Sequence, residues 1–231
     1  MAKTAILVDG GFYRKRAELL WGHKTPEDRA TELKDYCRAH IMNRDGSYSR
    51  QLYRVFYYDC PPINKKIFHP LLGNTVDLGK TDLFGWANEF LDQLKKLRKF
   101  ALRMGRLSEP TAYYALKAET IKNLCRGKKT IQELEDRDFS LSVEQKGVDM
   151  KIGLDIASLA YKKQVDQIIL ISGDSDFVPA AKLARREGID FILDPMWAKI
   201  KPDLFEHIDG LKSHWKKNGT NTQDHCCEED A

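Results

Sequence analysis

Nowhere does this chain approach the roughly 18 consecutive apolar residues that a membrane-spanning helix needs, and its opening MAKTAILVDGG turns polar after one short apolar run. A soluble, cytoplasmic protein with no membrane partner is therefore expected. Cysteine is scarce and odd in number: five residues, Cys37, Cys60, Cys125, Cys226 and Cys227, with no CxxC spacing. That argues against a disulfide framework and for reduced thiols. A dinucleotide fingerprint is missing as well, since VDGGFYRK holds no GxGxxG. His207, His214, His225, Cys226 and Cys227 are zinc-ligand types, but their spacing matches no common zinc pattern.

What is present is a chain of 231 residues, 42% hydrophobic, long enough for one sizeable core. There are 38 basic against 34 acidic residues, and four of the acids (Asp224, Glu228, Glu229, Asp230) fall in the last eight positions, so the body carries an excess of eight positive charges. A modest basic excess suits a polyanionic partner. The run AILVD at 5–9, followed by two glycines, reads as a strand buried on both faces. Helices are expected over 12–20 and 26–42, the second beginning at TPED with a cap residue, a proline and two first-turn acids. QLYRVFYYD at 51–59 is a second strand, and the Pro-, Gly- and Asn-rich stretch from Cys60 is a long loop. The apolar spacing of Phe84, Ala87, Phe90, Leu91, Leu94, Leu97 and Ala101 predicts one helix over 82–104, with Lys95, Lys96, Arg98, Lys99 and Arg103 on its flanks. TAYYALKAE is expected as a third strand and FSLSVEQ as an extended segment. An amphipathic helix over 148–163, strand DQIILIS, helix DFVPAAKLARRE, strand IDFIL and a short helix near 203–211 follow. Alternating strands and helices at both ends imply a mostly parallel sheet covered on two faces. The main domain is placed at 1–212, with an insertion at about 60–139 and a polar, disordered tail at 213–231.

Chemistry gathers on the acids. Sites in open parallel sheets lie beyond the carboxyl ends of the strands, where strand order reverses. Asp9 ends the first strand and Asp174 follows the strand that starts near Gln167. Right-handed crossovers make those two strands neighbours. On the 148–163 helix, Asp149 and Asp155 both border the apolar arc, about 9 Å apart along the axis. Asp149 is therefore given the direct metal contact, and Asp155 an outer or second-metal role. Clustered carboxylates repel unless a cation joins them, and oxygen-only ligands suit Mg²⁺ or Mn²⁺. The chemistry implied is phosphodiester hydrolysis. Each acid also has a bland reading: Asp9 as a turn residue, Asp174 or Ser175 as a helix cap, Asp176 as a first-turn acid and Asp155 as structural.

On ILVDGGF (6–12), KGVDMKIGLDIASLA (146–160) and ISGDSDFVPAAKLARREG (171–188), the sequence resembles the NYN-domain family of PIN-like metal-dependent ribonucleases, most closely its LabA-like branch. The resemblance implies a PIN-like α/β fold of strand order 3-2-1-4-5. It also implies an endoribonuclease site in which Asp9, Asp149, Asp174 and Asp176 surround Mg²⁺ or Mn²⁺ and cut RNA. Ser172 and Gly173 would position the acidic turn, with Gly10 and Ser175 as further supports. Many members carry an asparagine soon after the first aspartate, where this chain has Gly10, Gly11 and Phe12. A haloacid-dehalogenase-type phosphatase is disfavoured because Gly11 stands where its second acid belongs. The non-enzymatic alternative is a PIN-like RNA-binding or regulatory module. Either function expects RNA contacts from Lys95, Lys96, Arg98, Lys99 and Arg103, with Tyr57, Tyr58, Tyr113, Tyr114 or Trp86 to stack bases. A homodimer is left open.

Overall fold

Residues of the first apolar run alternate between two cores. In strand β1 (Lys3–Asp9), Ala5 and Leu7 face one side of the sheet, while Ile6 and Val8 face the other. The same alternation runs through β2 (Gln51–Asp59), where Phe56 and Tyr58 lie opposite Val55 and Tyr57. Two buried faces explain why these strands read as continuous apolar runs. The structure is a computed structural model that describes residues 1–43, 45–108 and 112–215.

In chain order, β1 is followed by α1 (Gly10–Trp21), α2 (Pro26–Ala39) and β2, then by a hairpin of β3 (Lys66–His69) and β4 (Asn74–Asp77). Next come α3 (Asp82–Lys96), β5 (Phe100–Met104), β6 (Arg106–Leu107), β7 (Tyr113–Leu116), α4 (Ala118–Cys125), β8 (Phe139–Ser142) and β9 (Gln145–Lys146). The chain closes with α5 (Val148–Tyr161), β10 (Gln167–Ile171), α6 (Val178–Arg186), β11 (Asp190–Asp194), α7 (Pro202–Phe205) and β12 (Gly210–Leu211). The main sheet runs β12-β11-β10-β1-β2-β5, and every pairing in it is parallel. Helices α1, α2 and α3 cover one face and α5, α6 and α7 the other. This is the α/β architecture expected, consistent with a PIN-like domain. The strand order is not identical to the expected one, because the short β12 extends it beyond β11 in place of the end of a longer 203–211 helix.

The middle of the chain departs from the sequence reading. The helix expected over 82–104 stops at Lys96: Leu97 turns extended and Lys99 takes a positive φ of 67°. Phe100–Met104 then forms the third strand of the sheet, with Phe100, Leu102 and Met104 on one core and Ala101 on the other. The apolar spacing survived the change of element, which is why it read as one helix. Tyr113–Leu116, expected as the third strand, pairs only with β8 in a separate two-stranded sheet. The expected insertion therefore contains two core elements, α3 and β5, between its loop-rich parts.

The boundary placed at 212 also moves. Ser213 donates to Asp194 Oδ1 at 2.6 Å, and Trp215 packs against Trp21 and Tyr36 at 5.8 and 5.3 Å between ring centroids. Residues 216–231, with His225, Cys226 and Cys227 of the zinc candidate, lie outside the described residues. Asp194 organises this closure, since its other oxygen accepts from Tyr36 at 2.6 Å and meets His40 Nε2 at 2.8 Å. Burial pushes its carboxyl up, but His40, Ser213 and Tyr36 outweigh that and hold it below the usual range. His214 lies edge-on to His40, ring centroids 4.4 Å apart, and burial with the adjacent His40 and Lys212 pushes it down to about 3.

Two predictions follow from this packing. A β-carbon on Gly10 would meet the Tyr57 ring at 2.5 Å and the Tyr58 carbonyl at 2.7 Å. Gly10→Ala should therefore cost about 1–3 kcal/mol in urea unfolding. For His214, the unfolded state binds the extra proton between the ordinary value of 6.5 and about 3. Stability is thus present above pH 6.5 and lost as pH falls through that window, and His214→Asn should flatten this part of the stability profile.

Candidate functional site

Strand order reverses between β1 and β10, because β1 is followed outward by β2 on one side while β10 leads to β11 on the other. A crevice at such a switch point needs no special sequence. Here it is a cleft of about 1050 Å³, lined at one end by Asp9, Ser172, Gly173 and Asp174 from the strand ends and by Asp149 from the first turn of α5. Three of the four acids proposed as catalytic are thus brought to one place.

Asp9 and Asp174 are fixed by hydrogen bonds to the backbone. Asp9 caps α1, accepting from Phe12 N at 3.0 Å through Oδ1 and from Ser172 Oγ at 3.3 Å through Oδ2. Ser172, fully buried, also accepts from Asp174 N at 3.3 Å, so one hydroxyl ties the two strand-end acids together. Asp174 caps the 3-10 turn Ser175–Phe177 by accepting from Asp176 N at 3.1 Å. The cap and the cleft share a residue, so the bland reading of Asp174 and the functional one coexist. Gly173 leaves room for Phe12, whose ring a β-carbon would approach to 2.8 Å. Ser175 faces away from the cleft lining and accepts from Lys201 Nζ at 3.0 Å.

The acids carry charge that the protein leaves uncompensated. Burial raises the carboxyl of Asp9 above its ordinary range; the Phe12 amide opposes this, and the charge of Asp149 adds to it. Burial likewise raises Asp149, followed by repulsion from Asp174 and Asp176. Asp59, which ends β2 beside this pocket, is the contrast. It is buried, accepts from Tyr57 at 2.9 Å and Cys60 N at 2.8 Å, and is gripped by Arg14 through two contacts of 3.1 Å. Sequence reading passed over Arg14 and Asp59. The available signal was a second strand, QLYRVFYYD, ending in aspartate as AILVD does.

Several assigned roles are corrected by position. Asp155 does not line the cleft; it accepts from Tyr58 Oη at 2.8 Å and from Arg103 Nε at 3.1 Å on the α5 side of the sheet. It has a cationic partner already, so a metal role is withdrawn. Asp176 is exposed and outside the lining, acting on Asp149 only through its charge. None of Lys95, Lys96, Arg98, Lys99 and Arg103 borders the cleft. The first four precede β5 and lie at least four strand residues from the level of Asp9, roughly 13 Å. Lys95 pairs with Asp92, Lys96 with Gln93 and Lys99 with the Leu52 carbonyl, while Arg103 lies 5.4 Å over the Phe56 ring. Tyr57 and Tyr58 are fully buried and unable to stack a base. The cations that do line the cleft are on and after α1, Arg14 and Lys15 first among them.

The donor set suits a hard divalent cation, being carboxylate oxygen only. Among the described residues, however, no three carboxylate, imidazole or thiol groups converge tightly enough to enclose an ion by themselves. The residues therefore fit an ion touched by one or two carboxylates with water completing its shell, the usual manner of Mg²⁺.

A family model for the NYN domain matches residues 83–203, more than half of the chain. This chain belongs to the NYN domain family. The matched span holds Asp149 and Asp174 but begins after β1, so Asp9 lies outside it; nor does it single out the LabA-like branch. A crystal structure of a protein of unknown function from Vibrio parahaemolyticus is similar at a TM-score of 0.47 and 16% identity, covering 91% of each chain. No curated protein matches. No helix among the described residues is long and apolar enough to cross a membrane.

The raised carboxyls carry a prediction of their own. A carboxyl whose folded value exceeds its unfolded value favours folding at low pH, and that contribution is lost as pH rises through the folded value. Metal-free protein at neutral pH should then be stabilised by Asp9→Asn or Asp149→Asn. For the half-buried Asp9 we expect an increase of about 2–4 °C in Tm for a gain of roughly 1 kcal/mol, read by thermal melts in EDTA, and for the exposed Asp149 a smaller rise because solvent screens its charge.

Proposed function

We infer that this NYN domain hydrolyses RNA phosphodiester bonds at the acidic end of the cleft, with a divalent cation held among Asp9, Asp149 and Asp174 by one or two carboxylates directly and by the rest through water. The observation that carries the reading is the set of mutually repelling carboxylates at the switch point, left without a cationic side chain while the neighbouring Asp59 has one. Membership of a nuclease-like family supports the same class of reaction. Bound there, Mg²⁺ or Mn²⁺ would supply charge stabilisation at phosphorus and a more acidic water.

The chain's own residues contribute position and proton handling. Ser172 and the Phe12 amide hold Asp9 in one rotamer, so its outward lone pairs are aimed before substrate arrives. An oxygen of Asp149 turned away from the ion accepts the proton of the attacking water. The water oxygen bonds to phosphorus, the P–O bond to the leaving nucleotide breaks, and that oxygen takes a proton from solvent. Lys15 and Arg14 attract the phosphates on either side of the cut. A second reading, RNA binding without cutting, is favoured by the lack of a closed three-ligand cage among the described residues.

Purified protein incubated with mixed single-stranded and structured RNAs in Mg²⁺ or Mn²⁺ tests both. Cleavage should disappear in EDTA and fall at least 100-fold in Asp9→Asn and Asp174→Asn, whereas Asp155→Asn should retain it. Equal rates in the Asp9 and Asp174 variants would sink the catalytic assignment, and salt-sensitive binding without any cleavage would favour the second reading.

A further inference from the structure

The end of the cleft away from the acids is built differently. Its wall is the first turns of α3, where Leu83, 71% exposed, and Trp86 line the opening. Helix α1 begins beside Asp9, and its 12 residues extend about 18 Å. Shortly beyond its far end, the Lys24 carbonyl accepts from Trp86 Nε1 at 2.9 Å. Trp86 therefore stands well away from the acids, with Arg14 and Lys15 on the α1 wall that joins the two ends.

The indole is immobilised on two sides. Phe90 stacks on it with centroids 5.2 Å apart and planes at 18°, and its only polar atom is satisfied by Lys24. Ala87, Phe90, Leu91 and Leu94 supply the buried face of α3, and Trp86 rests on that core with one part of its ring while staying half-exposed one turn from the helix start. What remains free is aromatic surface, prealigned and bordering the cleft. Such a surface gains from a planar ring at little cost in side-chain entropy. The adjoining groove beyond Trp86 carries Asp28 and Asp35, which repel phosphate, while the cations of Lys24 and Arg29 are taken up by the buried Glu32, so a polyanion has reason to end or turn at Trp86 rather than pass it.

We propose that Trp86 is a specificity residue of this cleft, stacking one unpaired base of the RNA several nucleotides from the phosphate at the acids. The proposal rests on the cleft being the RNA site, and it assigns to the far end a role that the acids do not supply. Base stacking of this kind tolerates sequence but demands a base, and the base must be out of a duplex. The cleft then measures distance: one end holds a phosphate, the other a ring.

The test is equilibrium binding of the full chain, in EDTA so that nothing is cut, to a fluorescent single-stranded oligoribonucleotide and to copies carrying one abasic position at each site in turn. Wild type should show one position where losing the base weakens binding about 5- to 150-fold. Trp86→Ala should weaken the intact strand by the same factor and erase the abasic effect, while Trp86→Phe restores most of both. The salt slope should be unchanged in Trp86→Ala and reduced by about one in Lys15→Ala. An abasic scan with no sensitive position, or Trp86→Ala binding intact RNA like wild type, overturns the proposal. The scan uses wild type alone, so the absence of a sensitive position overturns the proposal even if Trp86→Ala unfolds, and Trp86→Phe then carries the assignment to this residue. Trp86-dependent binding without metal-dependent cleavage would sink the nuclease reading only; cleavage without an abasic-sensitive position would sink only this one.

Discussion

Three strands of one parallel sheet deliver an aspartate to the same edge: Asp9 from β1, Asp59 from β2 and Asp194 from β11, with Asp174 just past β10. Carboxylates crowded this way in a partly desolvated setting repel and resist ionisation. Everything at that edge can be understood as an answer to this crowding. Asp59 is answered by the Arg14 fork and Tyr57, and Asp194 by His40, Tyr36 and Ser213. Those two acids are structural, and each fastens a distant piece of chain: α1 to the end of β2, and the segment 213–215 to α2.

Asp9, Asp149 and Asp174 receive only hydrogen bonds from neutral groups or none at all, and their charges remain. The contrast is informative because it occurs within one sheet edge, where the same fold supplies cations to some acids and withholds them from others. Stability alone would neutralise them all. Retaining unpaired charge at a switch-point cleft is the pattern of a site that trades stability for function. Asp155 follows the opposite pattern, since Arg103 and Tyr58 satisfy it on the other face of the sheet.

How much of this was legible in the sequence depended on how local the signal was. The strand ends at Asp9 and Asp174 and the first turn of α5 were readable, because an apolar run followed by Asp-Gly or Gly-Asp marks a boundary within a few residues. Where helix gave way to strand between Lys96 and Phe100, the period changed from 3.6 to 2 without a gap in apolar spacing, so the boundary was invisible. That error carried the basic residues with it: read as one helix flank, they were placed together, whereas Arg103 belongs to a strand and the others lie towards the opposite edge from the acids. Arg14 and Asp59 were hidden for a different reason. Their roles depend on which distant segments meet at the cleft, and no spacing within one segment encodes that.

The central claim is that the acids of the cleft are held apart from cations in order to take one. Mn²⁺ binding to the purified full chain, followed by electron paramagnetic resonance of the free ion, examines it without reference to any RNA substrate. Wild type should bind Mn²⁺, Asp9→Asn and Asp149→Asn should lose at least tenfold in affinity, and Asp155→Asn and Asp59→Asn should match wild type wherever they remain folded. Equal binding by wild type and the Asp9 variant, or loss confined to Asp155→Asn, would contradict it.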